Sequence, residues 1–199
     1  MLVKDAKKIT ESLTRTSKMP GLSYSLPAWA CQTGAKLRKI PSSPCFGCYA
    51  MKNNYIRYPA IKAAQYRRLD AIENPLWVEA MVVQIKRQKW FRWHDAGDLQ
   101  SVDHMNKIIE VCKQTPGTQH WLPTQERQYL PDPEAVPANL IIRLSAAKVN
   151  GTAGNAWSHS STVVTDGTAS CAAPDQGGKC LDCRACWSKD IKNVSYGKH

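Results

Sequence analysis

Apolar residues recur at helical spacing in two stretches. Leu76, Ala80, Met81, Val83 and Ile85 line a broad face up to Lys89. Asn74–Pro75 opens that stretch, with Asn as cap and Pro at the first helical position. Val102, Met105, Ile108, Ile109 and Cys112 form one stripe after Ser101, a capping residue, and Pro116–Gly117 stops it. Asn54 to Ala71, rich in Ala, Arg, Gln and Tyr, reads as a third helix with Pro59 near its start. Strand patterns fall at Trp90–His94, Gln119–Thr124, Leu140–Ser145 and Ser161–Thr165.

These strand centres lie roughly 20–30 residues apart, room for the crossovers that parallel strands require. The pattern predicts an α/β fold, a partial or TIM-like (βα) barrel with long cysteine-bearing loops at both ends of the chain. An α+β domain with a short mixed sheet is the alternative. The length fits a single domain over 1–199. Within it, 1–19 is a basic lead-in and 20–50 an N-terminal cysteine loop. Residues 51–166 form the α/β core and 167–199 a C-terminal cysteine segment.

Composition sharpens this picture in two respects. The apolar and charged fractions, 43% and 22%, are those of a globular chain and exclude a wholly disordered or collagen-like one. No apolar run is long enough to span a bilayer, so no membrane partner is expected. MLVKDAKKITESLTR lacks the apolar stretch of a signal peptide, which points to the cytoplasm. The net charge of +11 favours an anionic partner, either a small anionic substrate or nucleic acid. Trp and Tyr interleaved with the basic residues leave the nucleic-acid reading open.

The cysteines are grouped. Cys31, Cys45 and Cys48 make C-x13-C-x2-C, and Cys171, Cys180, Cys183 and Cys186 make C-x8-C-x2-C-x2-C. In a reducing compartment such groups hold metal more often than they form disulfides. A consecutive C-x2-C-x2-C run suits one face of a 4Fe-4S cluster, whereas zinc usually takes two separated pairs. One or two clusters are expected, with zinc or disulfides as alternatives. The N-terminal three would leave one position open or borrowed. Gly177–Gly178 gives the backbone freedom for close approach, and Lys179, Arg184 and Lys189 offset thiolate charge. Cys112 continues the apolar stripe and reads as core.

Function in parallel α/β folds gathers beyond the carboxyl ends of the strands. There stand His94 and Asp98 after the first of these strands, Glu126 and Arg127 after the second, and Arg143 on the third. Asp98 could close a turn and His94 could be an interior histidine. Arg143, in an apolar strand, calls for an acidic partner or an anionic ligand. Asn150, Gly151, Thr152, Gly154 and Asn155 form a loop whose N–H groups suit a phosphate such as that of FMN, or a plain surface turn.

Lys18–Pro27, Pro27-Ala28-Trp29-Ala30-Cys31, Cys45-Phe46-Gly47-Cys48-Tyr49-Ala50 and Ala96-Gly97-Asp98 together resemble the phage-encoded gene product 88 family. That likeness implies the cytoplasm of a host bacterium. A wider likeness is to radical S-adenosylmethionine enzymes. It implies a cluster on Cys31, Cys45 and Cys48 with an open iron, S-adenosylmethionine as cofactor and a partial barrel. The chain departs from that pattern in its thirteen-residue first spacing, in Gly47, and in lacking a Gly-Gly-Glu segment. The reading as a whole is an iron–sulfur oxidoreductase passing electrons from an undetermined donor to a small substrate, with flavin as a second cofactor. Radical S-adenosylmethionine chemistry and a zinc-stabilised nucleic-acid-binding protein are the alternatives.

Overall fold

The computed structural model describes residues 1–52 and 54–198. Helix α1 (Val3–Thr10) leads into β1 (Thr14–Arg15) and β2 (Leu22–Tyr24). A cysteine-bearing stretch follows, with the short helices α2 (Gln32–Leu37) and α3 (Asn54–Arg57). Then come α4 (Pro59–Ala71), α5 (Trp77–Ile85), β3 (Trp90–Trp93), α6 (Val102–Gln114) and β4 (Gln119–Thr124). Strands β5 (Leu140–Ser145), β6 (Ser160–Val164) and β7 (Asn193–Gly197) complete one seven-stranded sheet in chain order. Strands β2 to β7 are all parallel, and β1 alone pairs antiparallel, with β2.

Parallel strands taken in chain order, joined by right-handed crossovers, place their helices on one face. That face is the main core. Phe91, Trp93, Leu122, Leu140 and Ile142 meet Trp77, Met81 and Ile85 of α5 and Met105, Ile108 and Val111 of α6. Cys112 lies in this core, fully buried. The strands alternate, so Arg92, Trp121, Ile141 and Arg143 project from the other face. The C-terminal segment covers them. Trp187 packs on Trp121 and Ile141, and its Nε1 donates to the Phe91 carbonyl at 2.9 Å.

The protein is therefore mixed α/β, but its sheet is open. Among the described residues β1 and β7 do not pair, so the TIM-like closure expected from sequence is absent. The covering of the second face by a chain segment removes the need to curl that face inward.

The expected strands at 119–124 and 140–145 have those bounds, and the others shift by a residue. Ser101 caps α6, its Oγ accepting the His104 N–H at 3.0 Å. The cap expected at Asn74 does not form: α5 runs from Trp77, two residues later than expected, and Asn74 Oδ1 accepts from Leu76 N in the turn before it. The helix expected over 54–71 is two, because Pro59 starts a new one after the extended Tyr58.

Three histidines are buried here. His120 lies nearly parallel to the Trp93 ring, His104 meets the Trp77 edge, and His94 sits beside His104 with ring centres 5.4 Å apart. Burial holds all three neutral, His104 and His120 at about 3 and His94 well below the ordinary 6.5. Unfolding restores the ordinary value, so below pH 6.5 the unfolded chain takes up protons that the native one refuses. The histidines' contribution is intact above pH 7 and falls with acidification, by up to about 2 kcal/mol each at pH 5. It is offset in part by Asp98, whose buried carboxyl, raised to about 7, takes up a proton in the native state first. Urea titrations at pH 7 and pH 5 should show this as a large fall in midpoint with an unchanged slope.

Candidate metal centres

Both cysteine groups are built on the same small device. In Cys45-Phe46-Gly47-Cys48 the Cys48 N–H donates to the Cys45 carbonyl at 3.2 Å, with Gly47 at φ 71. In Cys180-Leu181-Asp182-Cys183 the Cys183 N–H donates to the Cys180 carbonyl at 2.8 Å, with Leu181 at φ 43. A left-handed residue inside each turn lets the two flanking thiols leave on the same side.

The C-terminal group is the more complete. Cys171, Cys180, Cys183 and Cys186 line one small cavity of about 20 Å³ with Ala173, Ala185, Trp187 and Val194. Apart from the sulfurs this lining is apolar. Three of the four are fixed from outside: Cys171 N donates to the Ser195 carbonyl, and Cys180 N to the Lys18 carbonyl. Cys186 Sγ lies 3.2 Å from the Tyr196 hydroxyl. Gly177 and Gly178 both take the left-handed conformation expected of a glycine pair at this bend. Burial pushes the Cys180 and Cys186 thiols above their ordinary range.

Arg143 is the centre of this arrangement. It is fully buried, yet among the described residues it forms no ion pair. Its Nε donates to the Cys186 carbonyl at 3.0 Å, and Nη2 to Ala185 and Ser188 at 2.9 and 2.8 Å. Nη1 reaches the carbonyls of Ile191, Ser160 and Lys192. Of the acidic partner or anionic ligand expected from sequence, no acidic side chain is found among the described residues, and carbonyls, mostly of the cysteine segment, take the donors. These satisfy the donors without cancelling the charge.

The N-terminal three lie beyond the carboxyl ends of β2 to β4. Cys31 follows β2 and immediately precedes α2. Gly34, buried in α2, makes room for the sulfurs: a Cβ there would sit 2.9 Å from Cys31 Cβ and within 4 Å of the Sγ atoms of both Cys31 and Cys45. Burial pushes the Cys31 thiol up, with Asp98 and the other two thiols adding to it, and raises Cys45 to about 11. The sulfurs of Cys31 and Cys45 thus meet at a point that only a glycine leaves free. Among the described residues, no set of three or more His, Cys, Asp or Glu is grouped for a single metal ion.

Glu126 and Asp98 serve this site as supports. Glu126 is fully buried and accepts from the N–H groups of Gln32 and Thr33 at 3.0 and 2.8 Å and from the Thr33 hydroxyl at 2.6 Å. It thereby fixes the start of α2, the residue after Cys31. Asp98 accepts from Thr124 Oγ1, Leu99 N and Gln125 N, tying the ends of β3 and β4, and burial raises it to about 7. The remaining candidates stand apart from the sulfurs. His94 is buried in a left-handed conformation with both ring nitrogens unpartnered. Arg127 donates to the Ala153 carbonyl at 2.8 Å. The 150–155 loop has used two of its donors, Asn150 N on the Val163 carbonyl and Gly151 N on that of Lys148. Thr152, Gly154 and Asn155 are exposed.

Sequence reasoning missed Gly34, Arg92 and the role of Tyr55. Arg92 stacks 4.5 Å from the Trp121 ring centre, with its Nη1 3.7 Å from Met19 Sδ. Tyr55 donates to Asp95 Oδ2 at 2.9 Å, and Tyr49, next to Cys48, donates to the Asp95 carbonyl. A charged residue between Phe91 and Trp93 carries the same signal that singled out Arg143.

Fold and sites together define a mixed α/β protein with two separate cysteine centres, one beyond the strand ends and one against the sheet. The chain belongs to the gene product 88 family, whose model matches residues 1–189. No curated protein matches the chain, and no solved structure does. No relation to radical S-adenosylmethionine enzymes emerges from these comparisons.

Removing the Glu126 carboxylate leaves buried N–H donors at the start of α2 unpaired. Glu126→Ala should cost about 2–3 kcal/mol in chemical denaturation. In reduced, metal-free protein it should also speed labelling of Cys31 by a thiol reagent, measured by mass spectrometry, while Cys112 labelling stays slow.

Proposed function

We propose that this protein binds iron–sulfur clusters and works as a redox protein, an oxidoreductase passing single electrons to a small or anionic substrate. The observation that carries this reading is the C-terminal cavity, where four cysteines face an otherwise apolar space beside a buried guanidinium with no carboxylate. A 4Fe-4S cluster with four thiolates carries about −2 in its oxidised form, which would compensate Arg143. When bound, such a cluster supplies reversible one-electron transfer at a potential set by its surroundings. The chain's own part is to hold four thiolates apart, to exclude water with Trp187 and Val194, and to offset charge with Arg143 and Arg184.

The donor set favours a cluster over zinc. The consecutive Cys180-x2-Cys183-x2-Cys186 run suits one face of a cluster, whereas zinc usually takes two separated pairs. At the N-terminal site three cysteines with no fourth would leave one iron open to a substrate. That supports an enzyme over a plain electron carrier. S-adenosylmethionine is one candidate for that position, and its reductive cleavage by the reduced protein is the direct assay.

Protein purified without oxygen should be brown, with broad absorption near ~400 nm from thiolate-to-iron charge transfer and matching iron and sulfide contents. Cys48→Ser and Cys183→Ser should each lower both contents by about half, because a cluster lacking one thiolate is lost. Cys112→Ser should change neither. Colourless protein carrying zinc, or cysteines joined as disulfides, would overturn the proposal. Flavin, if present, would be released on denaturation.

A further inference from the structure

From Ser12 to Leu69 the chain contains no Asp or Glu, against ten Lys and Arg. This acid-free run carries the whole N-terminal cysteine site, and its cations lie around the sulfurs. Arg38 is a charge neighbour of Cys45. Lys52 Nζ lies 3.5 Å from where a Gly47 Cβ would be, and Lys62 sits 5.1 Å above the ring of Trp29, two residues before Cys31. Lys52 and Arg57 line an open groove with Asn54 and Ile56. Among the described residues none of these four cations makes an ion pair.

The same surface is unusually apolar. Phe46, at the tip of the cysteine turn, is 49% exposed, and Tyr58, Ile56 and Ile61 are 49%, 38% and 39% exposed. Helix α4 turns Ala60, Ile61 and Ala63 to solvent. A patch that is at once uniformly basic and apolar is a binding surface by both criteria.

We infer that this face docks an acidic one-electron carrier protein over the Cys45–Cys48 turn. The inference rests on the redox reading for its purpose, but not for the surface itself. Charge complementarity selects an acidic partner, and electron-transfer encounters are typically small and electrostatically steered. The exposed Ile56, Ile61, Ala60 and Ala63 suit contact with an apolar protein surface, whereas the exposed Phe46 and Tyr58 would serve a protein or stacked bases alike. The cysteine turn lies at the surface, where a cluster would be within close reach of a docked carrier.

The test uses the full chain, prepared without oxygen, and an acidic flavodoxin labelled with fluorescein, read by anisotropy. Binding should weaken roughly tenfold between low and physiological salt, as screening of an exposed charge pairing demands. The triple variant Lys52→Glu, Arg57→Glu, Lys62→Glu should bind at least tenfold more weakly. A control of equal charge at the opposite end of the sheet, Lys86→Glu, Arg87→Glu, Lys113→Glu, should lose less than twofold. All six positions are exposed, and circular dichroism verifies folding of both variants. Absence of flavodoxin binding at low salt, or equal losses in the two triples, overturns the inference. Tighter binding of a labelled oligothymidylate than of flavodoxin also overturns it, in favour of nucleic acid. Iron analysis of the same samples separates the two proposals: brown protein that ignores flavodoxin sinks the docking face alone, whereas pale protein that binds it sinks the cluster alone.

Discussion

A guanidinium buried without a counter-charge is the constraint around which this molecule is organised. Desolvating a cation is expensive, and hydrogen bonds to carbonyls repay only part of the cost. Arg143 gathers the carbonyls of Ala185, Cys186, Ser188 and Ile191 from the C-terminal segment and of Ser160 from β6. That single side chain therefore sets the path of the segment, and with it the position of Cys186. The segment in turn places Trp187 over the second face of the sheet. Without it, Trp121 and Ile141 would face water and the sheet would be half a fold.

The two cysteine centres differ in how they depend on this constraint. The C-terminal centre is made of the covering segment itself, so holding its thiolates and closing the sheet are one event. A metal held there would be coupled to folding, because ligands dispersed in the unfolded chain would have to be brought together. The N-terminal centre is held by Glu126, Asp98 and Gly34 on loops beyond the strand ends. Its position follows from the carboxyl ends of β3 and β4 rather than from Arg143. Arg92 stands between them, stacked on Trp121, with the phenols of Tyr49 and Tyr196 among its charge neighbours. Each centre thus has a buried or half-buried cation beside it, and the middle one is shared.

Much of the frame was legible in the sequence because its elements are long enough to show a period. β4, β5 and α6 carry their pattern and their caps in consecutive residues. β2 was not legible: three residues within a proline-rich run have no alternation to read, and Leu22–Tyr24 is a strand because β3 offers it an edge. β7 escaped for a similar reason, since Asn193–Gly197 is polar and gains its burial from β6 and the cysteine segment. The cysteine groupings were plain from spacing, whereas their supports were not. Glu126 caps a helix ninety-odd residues away in sequence, and Gly34 matters only because two sulfurs meet there. Neither fact has a local signature.

Of the partial or TIM-like barrel expected, the closed form is not seen among the described residues, for a reason that connects fold to chemistry. Parallel strands in chain order produce helices on one side and leave a bare face on the other. A closed barrel covers that face with itself. Here β7 comes after a stretch of about thirty residues that crosses the bare face before the strand is laid down, so the interior is filled by cysteines, Trp187 and the carbonyls around Arg143. Filling the face with a segment that has little apolar content of its own is costly unless something else holds it. Four thiolates gripping one cofactor would supply that hold. This makes the redox proposal an argument about stability as well as about electrons: the centre is placed where the fold has the least of its own material.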